Sequence, residues 1–300
     1  MRAEFLDKLF EIAENDERLV FMTADLGFGV VEKFAERFSS RFINVGVAEQ
    51  AMVAAATGLA EAGLIPYCYS IATFTSLRAL EFTRNGPIAH ALPVKVVGVG
   101  AGMDYGFDGL THFAVDDVAA LRAYPGFLIW APADSDEVTS DLEEIHNDPR
   151  PVYIRLLRRG EKTTNQRLHT NPKVSARTVI LSLGDAHTLS AKIALKLDSA
   201  GVFVEQISVT RIDDQTLTQI ANLLGAVDFC VTVENHFIIG GLGSLVCEAV
   251  ATNGIDTKVI RVGVEDLPIS EYGDSEFLEK RFMTDIGLVV EEVSRGKRHK

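Results

Sequence analysis

The stretch RFINVGVAEQAMVAAATGLAEAG, residues 41–63, runs from a short apolar strand straight into an Ala-rich helix, with Glu49 in the first helical turn. A carboxylate at that position is stabilised by the helix macrodipole and by the unpaired backbone N–H groups of the first turn. On those grounds alone it reads as an ordinary solvated residue. Its neighbours argue otherwise. Ala51, Met52, Val53, Ala54, Ala55, Ala56, Leu59 and Ala60 leave no polar face over three turns, so the helix is expected to be buried. A carboxylate at the mouth of a buried helix needs a partner or a raised pKa, and either makes Glu49 a candidate for chemistry.

Outward from this step the same alternation repeats. Strand-like runs fall at 19–24, 41–47, 64–70, 94–100, 127–132 and 151–156, with helical patterns between most of them. A second set follows at 178–184, 202–209, 228–235 and 257–264. Alternating strands and helices imply mostly parallel sheets covered on both faces, an α/β architecture of two doubly wound domains. The stretch EKTTNQRLHTNPKVS, 161–175, is polar, contains Pro172 and has few apolar residues, so it reads as the linker between domains at 1–160 and 176–300.

Composition narrows the partners. The chain has 300 residues, 47% of them hydrophobic, and a net charge of −13. That charge argues against nucleic acid or an anionic membrane as main partner, since both call for a basic surface. It leaves open a small anionic substrate held by a local arginine. Cys68, Cys230 and Cys247 lie in apolar runs without paired spacing, which suits buried thiols in a reducing cytoplasm better than disulfides or a metal site. The N-terminus MRAEFLDKLFEIAEN is charged and helix-periodic, without the apolar core of a signal peptide. No apolar run reaches transmembrane length. The basic end RGKRHK reads as a solvated tail.

Two glycine clusters invite a nucleotide reading. GVGAGMDYGFDG (98–109) follows a strand, and GGLG (240–243) opens an apolar helix. Neither is a phosphate loop with its Lys-Ser/Thr ending, and neither completes a dinucleotide fingerprint. GGLG could shape a helix N-terminus for an anion; close backbone packing is the alternative.

Four segments in order carry a resemblance: INVGVAEQAM (43–52), YSIATFTSLRALEFTRN (69–85), DGLTHFAVDDVAALRAYPGFLIWAPADSDE (108–137) and PVYIRLLRRG (151–160). Together they resemble the pyrimidine-binding domain of the transketolase and deoxyxylulose-phosphate synthase family of thiamine-diphosphate enzymes. VENHFIIGGLGSLVCEAV (233–250) is similar to the glycine-containing segment of that family's C-terminal domain. The family's diphosphate-binding domain carries a Gly-Asp-Gly motif and a later Asn. The only Gly-Asp steps here, Gly184-Asp185-Ala186 and Gly273-Asp274-Ser275, do not complete it. The resemblance therefore implies the second half of a transketolase. The Mg2+ and diphosphate ligands of thiamine diphosphate would lie on a separate N-terminal subunit, so no metal ligand is assigned on this chain.

The resemblance gives each candidate a role. Glu49 would hydrogen-bond the 1′ ring nitrogen of the aminopyrimidine and promote the imino tautomer that removes the thiazolium proton. Phe74 would place a ring against the aminopyrimidine, and Arg78 would pair with an acidic group or shape the site. His112 would shuttle protons near the thiazolium and the substrate oxygens, with Asp108 accepting a substrate hydroxyl. Arg158 would grip a sugar phosphate through its planar donor fork, with Arg155 and Arg159 nearby as a strand-end cluster. Asp25, in TADLG, would approach the cofactor, although GFGV stands where the family has a polar residue. Phe113 replaces a frequent glutamine and is expected to make the pocket rim less polar.

The function these roles imply is transfer of a two-carbon ketol unit between sugar phosphates. The apolar helix after Glu49 suggests a subunit interface, hence at least a homodimer and an α2β2 heterotetramer with the partner. Two alternatives stand beside this reading: the β subunit of a 2-oxoacid dehydrogenase, and a non-catalytic partner that kept the fold.

Overall fold

The computed structural model describes residues 1–27, 29, 31–158, 160–266 and 271–297. The chain builds two sheets. The first takes β1 (Leu19–Thr23), β2 (Phe42–Asn44), β3 (Ile65–Ile71), β4 (Lys95–Val99), β5 (Leu128–Trp130) and β6 (Val152–Leu156). The second takes β7 (Gln166–Arg167), β8 (Thr178–Leu183), β9 (Glu205–Val209), β11 (Phe229–Phe237) and β12 (Lys258–Val264). The two-residue β10 (Arg211–Ile212) crosses back to the first sheet, whose order is β10-β5-β6-β4-β3-β1-β2; the second reads β12-β11-β8-β9-β7. The pairings within both sheets are parallel, except the antiparallel β10 on β5.

The strands explain this geometry. β1, β3, β4, β6 and β8 are buried at every residue, as strands covered on both faces must be. On one face of the first sheet α1 (Arg2–Asn15) lies with the short α2 (Glu32–Arg37). On the other, α3 (Glu49–Glu61) sets Met52, Val53 and Ala56 against Val20, Met22 and Cys68. The chain continues through α4 (Leu80–Thr83), α5 (Asp117–Leu121) and α6 (Ser135–Asn147), the last joining α1 through Phe5, Leu9, Val138 and Leu142. The second sheet is flanked by α7 (His187–Ser199), α8 (Thr216–Leu224), α9 (Leu242–Asn253), α10 (Ser275–Phe282) and α11 (Ile286–Lys297). One apolar core is shared: the cluster under α3 runs on through Val179, Leu181 and Ile207 to Leu245 and Val246 of α9. Each of these larger side chains contributes about 1.5–3 kcal/mol by leaving water.

Several expectations change. The strand expected at 41–47 stops at Asn44, because the Asn44 side chain accepts the N–H of Gly46 at 3.0 Å and turns the chain there. Gly46 takes φ +71°, the left-handed region glycine enters without a Cβ clash. Helix α3 is not buried all round: Met52, Val53, Ala56 and Ala60 are, but Ala51, Ala54 and Ala55 face outward. Between the exposed Gln50 and Glu61 its outer face carries the small residues Ala51, Ala54, Ala55 and Gly58. The 161–175 stretch is ordered enough to donate β7, and Arg167 there pairs with Asp141 of α6 at 2.7 Å. Cys68 and Cys230 are buried free thiols, whereas Cys247 is half-buried.

Candidate active site

The residues nominated from sequence fall on one edge of the first sheet. Asp25 follows β1, Glu49 follows β2, Phe74 and Arg78 follow β3, Asp108 and His112 follow β4, and Arg158 follows β6. All lie beyond the carboxyl ends of parallel strands. From β1 the chain steps to β2 on one side and then crosses to β3 on the other, so the order reverses between β1 and β3. Open α/β sheets bind ligands at such a point.

Glu49 is the first residue of α3 and only 1% exposed. Ser70, on β3, donates its hydroxyl to Oε1 at 3.0 Å, and Arg78 donates Nη1 to Oε2 at 2.7 Å. The carboxylate thus has the partner its burial demands, and the partner is 40% exposed. Arg78 belongs to a π-helical turn, Phe74–Arg78, a wide turn frequent at functional sites. That turn lays the Arg78 guanidinium over the Phe74 ring, 4.1 Å from its centre.

From Phe74 the contacts continue. Its ring meets His112 edge-on, with centres 5.3 Å apart, and His112 lies 6.0 Å from the ring of Tyr105. Burial raises the Tyr105 phenol above its ordinary pKa, with the Arg158 charge opposing. Arg158 stacks over Tyr105 at 4.5 Å, takes the Asp104 carboxylate on its backbone N–H at 2.7 Å, and donates Nη2 to the Asp104 carbonyl at 2.5 Å. Thr111 Oγ1 lies 3.0 Å from His112 Nδ1. One string of contacts therefore links Ser70, Glu49, Arg78, Phe74, His112, Tyr105 and Arg158.

Asp25 and Asp108 stand outside that string. Asp25 is exposed at φ +54° and is fixed to Asn44, which accepts its N–H at 3.1 Å and donates Nδ2 to Oδ1 at 3.3 Å. Asp108 is exposed in a 3-10 turn, and among the described residues its carboxylate makes no hydrogen bond or ion pair. Arg159 lies outside the described residues.

Three readings are corrected. Phe113 does not line a rim: it is 3% exposed, packed with Met103, Val264, Leu278 and Phe282, because the chain after His112 turns inward under α10. Arg155 is no member of a surface cluster; its side chain is fully buried between Asp117 and Asp185. The GGLG helix start is no vacant anion site. Leu242 and Gly243 donate their N–H groups to the Glu234 carboxylate at 2.7 and 2.9 Å, and a Cβ on Gly241 would stand 1.9 Å from Glu234 Oε2. Ser70, Tyr105, Asp104 and Asn44 were not nominated. A lone serine in the otherwise apolar LIPYCYS run was the one available signal.

Among the described residues no group of three His, Cys, Asp or Glu side chains is placed to hold a metal ion, and no helix is long and apolar enough to cross a membrane. The family model for the transketolase pyrimidine-binding domain matches residues 1–161, and that for the transketolase C-terminal domain matches 171–286. The chain is 33% identical to a putative transketolase C-terminal section of Methanocaldococcus jannaschii, over 95% of this chain and 96% of that protein. It is 32% identical to the 6-deoxy-6-sulfo-D-fructose transketolase subunit SqwH of Clostridium sp., over 99% and 92%. Among solved structures it superposes on a split-gene transketolase, an inactive β4 tetramer, with a TM-score of 0.81 at 27% identity, over 97% and 96% of the two chains.

Proposed function

Because the chain belongs to the transketolase family, we propose that it is the C-terminal, pyrimidine-binding subunit of a two-component thiamine-diphosphate enzyme. In this reading it moves a two-carbon ketol unit between sugar phosphates, with its own residues divided between 1–160 and 176–300. The observation that carries the reading is Glu49: a carboxylate 1% exposed at the sheet's reversal point, held among the described residues by the side chains of Ser70 and Arg78. The site fits the aminopyrimidine end of the cofactor, offering an acid and the flat apolar face of Phe74. Near-complete two-way coverage of relatives named as a subunit or a C-terminal section supports a partner, which would bring the Mg2+ and diphosphate ligands. The outward alanines of α3 are the surface on which a homodimer, and with the partner an α2β2 assembly, would close.

When bound, thiamine diphosphate would supply a nucleophilic carbon. Glu49 would share a proton with the 1′ ring nitrogen. Ser70 would fix one Glu49 oxygen and Arg78 would neutralise the other. Phe74 gives the ring an apolar face and excludes water. Thr111 at His112 Nδ1 leaves Nε2 to exchange protons with substrate oxygens. Arg158, braced by Tyr105 and Asp104, takes the substrate phosphate.

The test is the chain mixed with its N-terminal partner and offered phosphorylated and unphosphorylated aldehydes. Ketol transfer should appear only in the mixture. Arg158→Ala should lower kcat/KM for phosphorylated acceptors about ten- to a hundred-fold, the scale of one charge-assisted contact, and leave unphosphorylated ones nearly unchanged. Equal losses for both would make Arg158 structural; no transfer from any sugar would remove the transketolase reading.

A further inference from the structure

We propose that Arg155 is a positioning residue that clamps the 102–115 segment, bearing Asp108 and His112, between the two sheets. The inference rests on the catalytic reading of His112 only for its kinetic arm. Arg155 is on β6, one strand position from the sheet edge where the site lies, and its guanidinium is fully buried. It binds four acceptors drawn from both halves of the chain. Nε donates to Asp117 Oδ2 at 2.9 Å and Nη1 to Asp185 Oδ1 at 3.1 Å. Nη2 reaches two backbone carbonyls, Ala114 at 3.2 Å and Asn235 at 3.0 Å. Tyr153, two residues back on the same strand, donates to Asp117 Oδ2 at 2.8 Å and completes the network. Burial lowers the Arg155 pKa, but the charges of Asp117 and Asp185 outweigh it and raise the pKa above the ordinary arginine value.

The grip falls where it controls the loop. Ala114 is two residues beyond His112, and it closes the segment on itself by exchanging backbone bonds with Gly102 at 2.8 and 3.0 Å. The other end is held from β11: Asn235 Oδ1 accepts the Met103 N–H at 3.4 Å, and a Cβ on Gly102 would run into the Asn235 side chain. Between the ends, Met103 and Phe113 are buried against Val264, Leu278 and Phe282 from the second half. Gly273 donates its N–H to the Gly106 carbonyl at 3.1 Å. His236 on β11 adds a second tie, with Nε2 3.2 Å from the Ala119 N–H and Nδ1 2.7 Å from the Phe237 carbonyl. The two ties require one neutral tautomer, which burial favours by drawing the pKa to about 4. The second half thus holds the His112 loop in place, and Arg155, itself on β6, ties the loop to β11 and to the turn before α7.

A planar fork is needed for this set of acceptors; an ammonium keeps the charge and loses the geometry. The test is hydrogen–deuterium exchange of the purified chain carrying Arg155→Lys, read at the amides of 102–115. Exchange there should rise tenfold or more, while peptides of β1, β3 and α3 change less than twofold. In the reconstituted complex kcat should fall about tenfold or more with KM for the donor nearly unchanged, since a misplaced group costs rate more than binding. Asp185→Asn, which leaves the Arg155–Asp117 pair intact, should loosen the same segment to a smaller degree, and it decides the matter if Arg155→Lys does not fold. Unchanged exchange at 102–115 in a folded variant, or a uniform rise across the chain, would overturn the clamp. The exchange arm needs no catalysis. A loosened loop in a chain whose wild type transfers no ketol unit leaves the clamp standing and removes only the proposed function.

Discussion

Glu49 and Glu234 are both carboxylates buried at the start of a helix, and they are held by different kinds of donor. Glu234, on β11 and wholly buried, spends both oxygens on the backbone N–H groups of Leu242 and Gly243 at the head of α9. Backbone donors cannot leave without unwinding the helix, so that carboxyl is a staple. Glu49 opens α3 itself and is held by two side chains, a serine on β3 and an arginine 40% exposed on a π-helical turn. Side-chain donors can turn away. The contrast separates an anion site filled by the chain's own acid from one that can accept a new partner.

The largest expected effect breaks the symmetry between the two acids. In the reconstituted complex Glu49→Gln should lower turnover about a hundred-fold or more, the scale of a lost acid–base group. Glu234→Gln, whose acid is hydrogen-bonded to Leu242 and Gly243 rather than to any residue of the string of site contacts, should leave turnover within a few-fold. Steady-state kinetics on both variants checks this. Similar losses from the two would mean that burial at a helix start, rather than exchangeable donors, is what matters.

A smaller effect sharpens the same contrast through pH. Burial pushes the Glu234 carboxyl up to about 7 from an ordinary 4.5, against the pull of its two backbone donors. A group that keeps its proton longer in the folded state than in the unfolded one favours folding at low pH. Its contribution is fully present below about 4.5 and fades as pH rises through about 7. Between pH 5.5 and 7 the wild type should therefore lose about 1.5 kcal/mol of stability relative to Glu234→Gln. Urea midpoints at the two pH values give the difference directly, with other titrating groups common to both proteins. Parallel pH dependence would mean Glu234 is ionised throughout.

Much of this was readable from the sequence because doubly covered strands leave continuous apolar runs. β1, β4, β6 and β8 fall within the expected segments, and β3 runs one residue past its own, to Ile71. β7 and β10, two residues each, carry no period and could not be seen. Glu49, Phe74, Arg78 and His112 were nominated and are brought together, since local order along the chain puts each just past a strand. Arg155 was misread because its two carboxylate acceptors come from 38 and 30 residues away, in opposite directions along the chain. A charged residue inside the buried run VYIRL was a signal that a paired interior was waiting. Phe113 was misplaced for the same reason: the cover it packs under, Leu278 and Phe282, comes from α10, near the far end of the chain.

The central claim is that this chain holds one end of the cofactor and needs a partner for the other. A calorimetric titration of thiamine diphosphate with Mg2+, into the chain alone and into the chain mixed with its N-terminal partner, tests it most directly. The account predicts no measurable binding heat for the chain alone and magnesium-dependent, micromolar binding in the mixture. Micromolar, magnesium-dependent binding by this chain alone would contradict it.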